Sequence, residues 1–549
     1  MKNIRGWGIS HPFFFGEDMK INEIKNIIEN RDDYIKFKNS KYDFFKEDSE
    51  YINLHFSNTN TIENPYKHIM LNVENKNRYT IDGNEAELVF HGDVNTFLIK
   101  NCCDITIKNL TIDYYNPTSI ELYVKNINEE LNYVDFIIPK AFNYYLEEND
   151  IIWTSEKNEN HYYWMGKNQF KSYAVTIFDL KNKYCKRMDI NDGPLINHIS
   201  IEKLSDGVRV FYKKIPKSVK KDYMICLNES YDRNNAGFSI IESKNIKFEN
   251  VSFNYLHGFG LLIQMSENVI FENCKFMGNE KHIVSSFADS IHVSGLKGKI
   301  EIKNCIFDSS LDDSINIHGT YVRVEEVEKN KAIMRYVHHQ QGGFKQFFVG
   351  NEVEFFNRET LEKVENKSYR VIDVTNPGEY SNNLQYMEVY FDKDLPDYLN
   401  DKIDNEGKYV AENITYTPEV LIENNKFSNV PSRALLCTTR KKTVIRNNIF
   451  ENITMASIYL SNDANEWYES GKIENMIIEN NVFKYNKEFL KLNDTKSIWI
   501  EPILKNENKE VSIHKNIKII NNKFEIEKEK AVIFKNTSNI FIDKNIYQN

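Results

Sequence analysis

The sequence predicts an all-β fold, a right-handed parallel β-helix with two small antiparallel β-barrel-like modules inserted into it. Three observations favour this solenoid. A short β-branched strand followed by Asn, two residues and Phe recurs along the chain, the interval between successive Asn residues is 23 at two places, and the repeat is missing from two long stretches. An interval of that length is about one coil of a β-helix, with loops inserted at a fixed corner.

The repeat is clearest from Asn250 to Phe253 and from Asn273 to Phe276. It recurs from Asn304 to Phe307, Asn424 to Phe427, Asn447 to Phe450, Asn480 to Phe483 and Asn521 to Phe524, with an earlier relative at Asn109. Because Asn tolerates left-handed backbone conformations and can hydrogen-bond to its counterpart one coil away, we expect it at the corner of each coil. We expect the Phe rings to stack inside the solenoid as a ladder.

The two stretches without the repeat contain alternating segments that are typical of antiparallel strands. Near the N-terminus, apolar residues from Met19 to Ile28 follow helical spacing, which predicts a helix that caps the open end of the solenoid. The predicted order is 1–115 for the cap and first coils, 116–235 for the first module, 236–319 for the coils with the acidic site, 320–417 for the second module and 418–549 for the C-terminal coils.

Composition excludes several classes of function. The net charge of -10 is spread along the chain, which argues against a nucleic-acid or anionic-membrane partner. Seven cysteines with no CxxC pair and no zinc spacing predict neither disulfides nor a metal site, and Cys274 and Cys305 are interpreted as small buried fillers.

The apolar run from Pro12 to Phe15 is too short for a signal peptide. We expect a cytoplasmic monomer or homodimer, secreted if a leader has been removed.

Two consecutive coils contain nearly the same sequence motif, Asp-Ser-Ile-His from Asp289 and Asp-Asp-Ser-Ile-Asn from Asp312. Aligning Asp-Ser-Ile places Asp289 beneath Asp313, and neighbouring strands lie about 4.8 Å apart. Three carboxyls in that space repel, so one pKa is raised. A carboxylic acid with a raised pKa and a neighbouring ionised carboxylate can together hydrolyse a glycosidic bond without a cofactor. We predict that all three Asp residues are catalytic, although any one of them alone would more often cap a turn.

Other residues of the same coils are candidates for binding the substrate. Arg433 aligns above Asp313, where it could hold a carboxylate ionised, bind a sugar hydroxyl or form a structural ion pair. Trp467 lies in a loop rich in acidic and aromatic residues, a suitable wall for stacking a sugar, although it could equally pack beneath the loop. The polar residues predicted to line the same groove are His257, His292, Asn316 and His318.

Together these phrases resemble glycoside hydrolase family 110. The resemblance is carried by Asp289-Ser-Ile-His, Asp312-Asp313, the Arg433 coil that ends at Arg440, and the segment from Asp463 to Gly471, and it runs from about Tyr79 to Glu501. The family consists of inverting α-1,3-galactosidases, including enzymes that remove galactose from blood group B structures. The resemblance implies an exo-acting hydrolase that releases terminal α-1,3-linked galactose from oligosaccharides, with the three Asp residues at the family's acidic active-site positions. Family members are commonly exported, so the missing leader is a departure.

Two other functions remain open at this point. A different β-helix carbohydrate enzyme, such as a polygalacturonase-like hydrolase or a polysaccharide lyase, would also use this scaffold, and a lyase would need a Lys or Arg base or bound calcium. A non-catalytic glycan-binding β-helix is the second alternative. It has no need for adjacent carboxylates in one cleft, because packing them together costs stability.

Overall fold

The computed structural model describes residues 13–14, 21–31, 33–167, 175–188, 193–228, 233–506 and 511–548. These residues form a parallel β-helix, as predicted. The predicted N-terminal helix is confirmed, and its Ile24 and Ile28 are buried in the solenoid core. None of the described helices is both long and apolar enough to cross a bilayer. The described helices are α-helices Ile21–Asn30, Lys487–Leu492 and Lys528–Ala531, and 3₁₀ helices Lys46–Asp48 and Asp397–Asn400.

The solenoid is built from strands that mostly pair in parallel with the strands one coil away, while Glu50–Asn53 and Glu469–Ser470 pair antiparallel. Before the first insertion its strands are Phe13–Phe14, Tyr34–Lys36, Lys41–Phe45, Glu50–Asn53, Tyr66–Glu74, Asn77–His91, Asn95–Lys100 and Cys103–Tyr114. Between the insertions they are Phe238–Ile241, Lys244–Phe253, Leu261–Glu272, Lys275–Phe276, Ile291–Lys303, Ile306–Asp308 and Ile315–Glu328. After the second insertion they are Glu419–Glu423, Lys426–Ser428, Arg433–Cys437, Thr443–Arg446, Ile449–Glu451, Ala456–Leu460, Glu469–Ser470, Met476–Glu479, Val482–Lys484, Lys496–Ile500, His514–Ile520, Lys523–Phe524, Val532–Phe534, Thr537–Asp543 and Ile546–Tyr547.

The repeated Phe residues form the expected interior ladder. Phe276 stacks on Phe307 with ring centroids 4.9 Å apart, and Phe307 stacks on Phe427 at 5.0 Å. The repeated Asn residues adopt left-handed backbone conformations, with φ of 54° at Asn250 and 57° at Asn447. Asn therefore turns each corner without the strain that most side chains would meet there.

The hydrogen bonds between Asn residues of successive coils differ from the expectation. Asn250 donates to Asn109 as expected, but the longer ladder is formed by the residue that follows the corner Asn. Asn425 donates to Asn448, and Asn448 donates to Asn481, each at 3.0 Å between side-chain amide groups that are almost fully buried. Cys274 and Cys305 occupy the same position in earlier coils. Their small side chains occupy the interior positions that Asn takes in the later coils, in agreement with their interpretation as buried fillers.

The first insertion forms a seven-stranded antiparallel sheet with smaller hairpins, enclosing an apolar core of its own around Trp153. Its position matters because the strand that ends at Arg187 reaches the acidic coils. Its strands are Ser119–Asn128, Tyr133–Ile137, Asn143–Glu147, Asp150–Thr154, Lys157–Asn158, His161–Tyr162, Met165–Lys167, Val175–Asp179, Tyr184–Arg187, His198–Lys203, Gly207–Tyr212 and Tyr223–Asn228.

The second insertion grows directly out of the solenoid. Strand Ile315–Glu328 is paired in parallel with the next coil up to Ile317, and pairs antiparallel inside the module from Tyr321 onwards. Arg440 ties the module to the solenoid through ion pairs with Glu354 at 2.8 Å and Glu412 at 2.6 Å. The module's other strands are Lys331–Arg335, Glu352–Asn357, Tyr369–Val374, Tyr386–Phe391, Lys402–Ile403, Glu406–Gly407 and Tyr409–Asn413.

Candidate active site

The predicted alignment of the acidic coils is confirmed. Ile291 pairs with Ile315 in the sheet register, and the backbone N–H of Ser290 donates to the carbonyl of Asp313 at 3.0 Å. Asp289 therefore lies one coil below Asp313. One carboxyl oxygen from each of Asp289, Asp312 and Asp313 lies within 4.8 Å of the other two.

Asp313 is held by the coil above it. The Arg433 guanidinium donates through Nε to Asp313 Oδ1 at 2.7 Å and through Nη2 to Oδ2 at 2.8 Å. The Asp313 side chain is only 1% exposed. The predicted stacking of Arg433 on Asp313 is thus a two-pronged ion pair, a geometry that the planar guanidinium supplies and an ammonium does not.

Asp312 is hydrogen-bonded to two arginines that the sequence analysis did not identify. Arg187 of the first insertion donates to Asp312 Oδ1 at 2.7 Å, and Arg233 donates to Oδ2 at 3.2 Å. Arg433 lies 3.9 Å from the same carboxyl. The first insertion therefore supplies a residue to the acidic site, and the Asp312 carboxyl lies among three guanidinium groups.

These surroundings give the three carboxyls different proton affinities. Burial raises the pKa of Asp289 well above its usual value, and the negative charges of Asp313 and Asp312 raise it further. Burial alone would also raise the pKa of Asp312, but the three arginines hold it at about 2. Burial raises the pKa of Asp313 to about 6 against the opposing pull of Arg433. Asp289 consequently holds a proton more tightly than an ordinary carboxyl does, whereas Asp312 is ionised near pH 7.

The spacing of the three carboxyls would also suit a metal ion, since each can direct an oxygen to a common point. The positively charged groups around the three carboxyls, however, disfavour a metal ion. A divalent cation would face the guanidinium groups of Arg187, Arg233 and Arg433, which already neutralise the ionised carboxylates. The donor set therefore fits ion pairs with arginine better than a metal centre.

The three Asp residues lie in a pocket. The residues that line it are Asn58, Arg233, Phe259, Asp289, His292, Asp312, Asp313, Asn316, Arg433, Trp467 and Glu469. Asn316 donates to Glu469 Oε1 at 3.2 Å, while its buried Oδ1 accepts no hydrogen bond from the described residues. Trp467 is 40% exposed, as a stacking platform requires.

Two loops close one side of the pocket. Gln341 of the second insertion donates to Asn58 at 3.3 Å, and Gln340 donates to Asn60 at 3.0 Å. The ring of His338 lies 4.8 Å from Trp467. The second insertion, which directly follows His318 and Gly319 in the chain, thus overhangs the acidic coils.

Comparisons with known proteins agree with this geometry. Residues 188–345 match the family model of the right-handed beta helix region, and residues 331–402 match that of the GLAA-B beta-barrel domain II. Alpha-1,3-galactosidase A of Streptomyces avermitilis is 32% identical over 507 residues, which cover 90% of this chain and 78% of that protein. The chain belongs to glycoside hydrolase family 110.

Two further matches differ in how much they cover. The family 110 relative from Peterkaempfera griseoplana, also an alpha-1,3-galactosidase A, is 30% identical, and the match covers 82% of this chain but 63% of that protein. Among solved structures, an exopolygalacturonase from Thermotoga maritima aligns with 96% of this chain and 87% of its own, at a TM-score of 0.35 and 11% identity.

The predicted histidines of this family 110 chain fall in three different places. His292 lines the pocket and lies directly behind Asp289. His318 is buried behind His292 and is not part of the pocket lining. His257 lies outside the lining, where its Nδ1 is 2.9 Å from the hydroxyl of Thr118. Their predicted role in substrate binding stays a prediction, and His292 is the one that the structure places beside the substrate pocket.

Sequence reasoning missed Arg187, Arg233, Asn58 and Glu469 as parts of the site. Arg187 and Arg233 belong to the non-repeating segment, where no coil alignment assigns a residue to a neighbour. Asn58 precedes the first clear repeat and gives no signal of its own. Glu469 could have been found, because it lies two residues after Trp467 in the loop already predicted to form a binding wall.

Proposed function

We propose that this family 110 chain is an exo-acting glycoside hydrolase that removes terminal α-1,3-linked galactose from oligosaccharides. The observation that carries the proposal is the Asp289, Asp312 and Asp313 cluster, in which a carboxyl with a raised pKa and an ionised carboxyl face one pocket. Such a pair is what acid–base hydrolysis of a glycosidic bond requires. The names of the relatives supply the linkage and the sugar.

The shape of the pocket supports exo action. A β-helix groove that is open on both sides can hold the middle of a long chain. Here the contact between the loops of Asn58 and Gln341, together with the His338 and Trp467 pair, closes one side. A closed pocket receives the end of a glycan, so one terminal sugar is the fitting substrate.

The division of labour among the three carboxyls follows from their exposure and their hydrogen-bond partners. Asp312 is the most exposed of them, with 18% of its side chain accessible compared with 4% for Asp289 and 1% for Asp313. Asp312 also differs from the stacked pair in its hydrogen-bond partners, which are Arg187 and Arg233. The working acid and base are therefore drawn from Asp312 on one side and the Asp289 and Asp313 pair on the other.

Inversion at the anomeric carbon is part of the proposal and rests on the family resemblance. Inverting enzymes hold their two carboxyls about 6.5–9.5 Å apart to leave room for a water molecule. The nearest oxygens of these three lie closer than that, within 4.8 Å. Proton NMR of the first product decides the matter: β-galactose is the expected anomer, and initial release of α-galactose would contradict inversion.

Galactose release tests the function. The substrates are an α-1,3-linked galactose disaccharide, the branched blood group B trisaccharide and an α-1,4-linked control, each with wild type, Asp313→Asn and Asp308→Asn. Asp308 is a matched control, because it is a largely buried Asp of the same coil that is hydrogen-bonded to Asn429 and lies outside the pocket. We expect release from the α-1,3 substrates by wild type and Asp308→Asn only. No release by wild type from any α-1,3 substrate would refute the proposal.

A further inference from the structure

A buried lysine joins two segments of the chain that reach the pocket, the loop of residues 54–65 and the segment of residues 233–237. Lys67 is 1% exposed, and its ammonium donates to the backbone carbonyl of Asn64 at 2.5 Å and to that of Asn234. Within the part of the chain that the structure describes, no carboxylate forms an ion pair with Lys67. Backbone carbonyl oxygens are therefore the groups that stabilise this charge.

This arrangement costs free energy. An ammonium that is taken out of water without a carboxylate partner loses hydration that is only partly replaced. Burial accordingly lowers the pKa of Lys67 to about 8, which leaves the group charged for the most part at pH 7. The cost is offset by the two hydrogen bonds, because charge-assisted bonds are about twice as strong as neutral ones. What Lys67 stabilises is thus the junction between the two segments that supply those carbonyls.

The same two segments are also joined by asparagines. The backbone N–H of Asn60 donates to the carbonyl of Arg233 at 2.9 Å, and Asn64 Nδ2 donates to Asn234 Oδ1 at 2.9 Å. The side-chain bond between Asn64 and Asn234 is exposed to solvent, whereas the ammonium of Lys67 is buried. Lys67 is therefore the interior anchor of the junction.

This junction carries two residues to the pocket lining, Asn58 on the loop and Arg233 on the second segment. Arg233 donates to Asp312 Oδ2 at 3.2 Å. An arginine side chain is long and flexible, so the place of its guanidinium depends on how firmly its backbone is held. The backbone of Arg233 is held by Asn60 on its own carbonyl and by Lys67 on the next one.

We propose that Lys67 is a positioning residue for glycoside hydrolysis, which holds the guanidinium of Arg233 against Asp312 by tying Asn234 to the loop. The inference rests on the proposed hydrolase function. Lys67 does not line the pocket, so it acts through Arg233 and not on the sugar. Misplacing a site residue by about 1 Å can lower a rate by about a hundredfold. Lys67→Met leaves both carbonyls without their donor, so it should lower kcat/KM by about tenfold to a hundredfold.

A double-mutant cycle with Arg233→Met separates positioning from a merely structural role. We would measure kcat/KM for the α-1,3-linked disaccharide with wild type, Lys67→Met, Arg233→Met and the double variant. If Lys67 acts through Arg233, it no longer affects the rate once the guanidinium is removed. The double variant should then lie within about threefold of Arg233→Met, since only independent effects add as free energies. Losses that multiply, or a wild-type kcat/KM in Lys67→Met, would overturn the proposal.

Lys76→Met is the matched control. Lys76 is 9% exposed and also donates to two backbone carbonyls, those of Glu29 at 2.5 Å and Arg31 at 2.8 Å, at the end of the N-terminal helix. It lies outside the pocket lining. Lys76→Met should therefore lower the melting temperature and keep the wild-type kcat/KM. A fall in kcat/KM equal to that of Lys67→Met would show a general effect of removing a buried lysine and overturn the proposal.

The pH dependence of kcat/KM gives a second readout. Burial raises the pKa of both Asp289 and Asp312, and the charge of Arg233 opposes that effect. If Lys67→Met displaces Arg233, those pKa values rise and the pH profile should move to higher pH, as in Arg233→Met. Lys67→Gln, which keeps a neutral donor, should show the same shift with a smaller loss of kcat/KM, and it replaces Lys67→Met if that variant does not fold. A wild-type pH profile in the Lys67 variants would contradict the positioning role.

Hydrogen–deuterium exchange tests the junction without relying on activity. The N–H of Asn60, which donates to Arg233, should exchange faster in Lys67→Met than in wild type and at the wild-type rate in Lys76→Met. Unchanged exchange in Lys67→Met would show that Arg233 is held without Lys67 and overturn the proposal. If wild type releases no galactose, the hydrolase function is refuted, while the exchange result still decides whether Lys67 anchors Arg233.

Discussion

Removal of the guanidinium of Arg433 should destabilise the protein in a way that depends on pH. The change is Arg433→Met, which keeps an unbranched side chain but leaves the buried Asp313 carboxylate without its two hydrogen-bonded donors. Breaking a buried pair by removing one partner costs about 3–5 kcal/mol. The variant can lower this cost only by protonating Asp313, so its pKa rises above the wild-type value of about 6.

The sign follows from linkage between protonation and folding. Because the pKa of Asp313 is higher in the folded protein than in the unfolded chain, the folded state binds more protons and stability falls as pH rises through that window. In wild type the decrease in stability with rising pH ends near pH 6, where Asp313 ionises. In Arg433→Met it continues to higher pH, at about 1.4 kcal/mol per pH unit. The destabilisation by Arg433→Met should therefore be small at pH 5 and several-fold larger at pH 8.

Thermal melting followed by intrinsic fluorescence at pH 5 and pH 8 measures the effect. Arg446→Met is the control, since Arg446 pairs with Glu423 at 2.6 Å but is 41% exposed. Exposed pairs contribute about 0–1 kcal/mol, so the control should lose little at either pH. Equal losses for Arg433→Met at pH 5 and pH 8 would refute the reasoning, because they would show that no carboxylate is left uncompensated.

Three further outcomes are expected. Asn448→Ala leaves several buried ladder partners unsatisfied at about 1–3 kcal/mol each, and a loss below about 1 kcal/mol in urea unfolding would contradict that ladder. Trp467→Ala should raise KM for the α-1,3 disaccharide with kcat nearly unchanged, and a fall in kcat alone would argue against a stacking platform. Gly343→Ala should loosen the closed side of the pocket, because φ is +78° and the new Cβ would lie 2.2 Å from the His55 ring; an unchanged melting temperature and KM would contradict this.

The solenoid and the stacking of the acidic coils could be predicted because the repeat is periodic. Each coil places its residues at the same positions as the previous one, so aligning Asp289 with Asp313 and Arg433 in sequence aligns them in space. The sequence predicted that the corner Asn forms the hydrogen bonds between coils, but in the C-terminal coils the following residue forms them. The corner residue and its neighbour are both Asn there, and only the strand register shows that Asn448 points inward.

The roles of the predicted site residues in catalysis and binding stay predictions, and the Asp313→Asn and Trp467→Ala variants test two of them. The structure adds which residues are in contact at the site. Arg187 and Arg233 are 125 and 79 residues away from Asp312 in sequence. No repeat relates them to it, because both belong to an insertion whose position depends on its own packing.

The amino-acid sequence by itself determined the β-helix, the stacked carboxyls and their arginine at Arg433, because a repeating coil converts sequence spacing into neighbouring positions. Only the tertiary structure decided which of those carboxyls has a raised pKa and which a lowered one. The pKa of Asp312 is lowered by Arg187 and Arg233, which lie outside the repeat, together with Arg433, and the pKa of Asp289 is raised by its burial. Burial and long-range charge pairing arise from the packing of distant segments, which local sequence patterns do not encode.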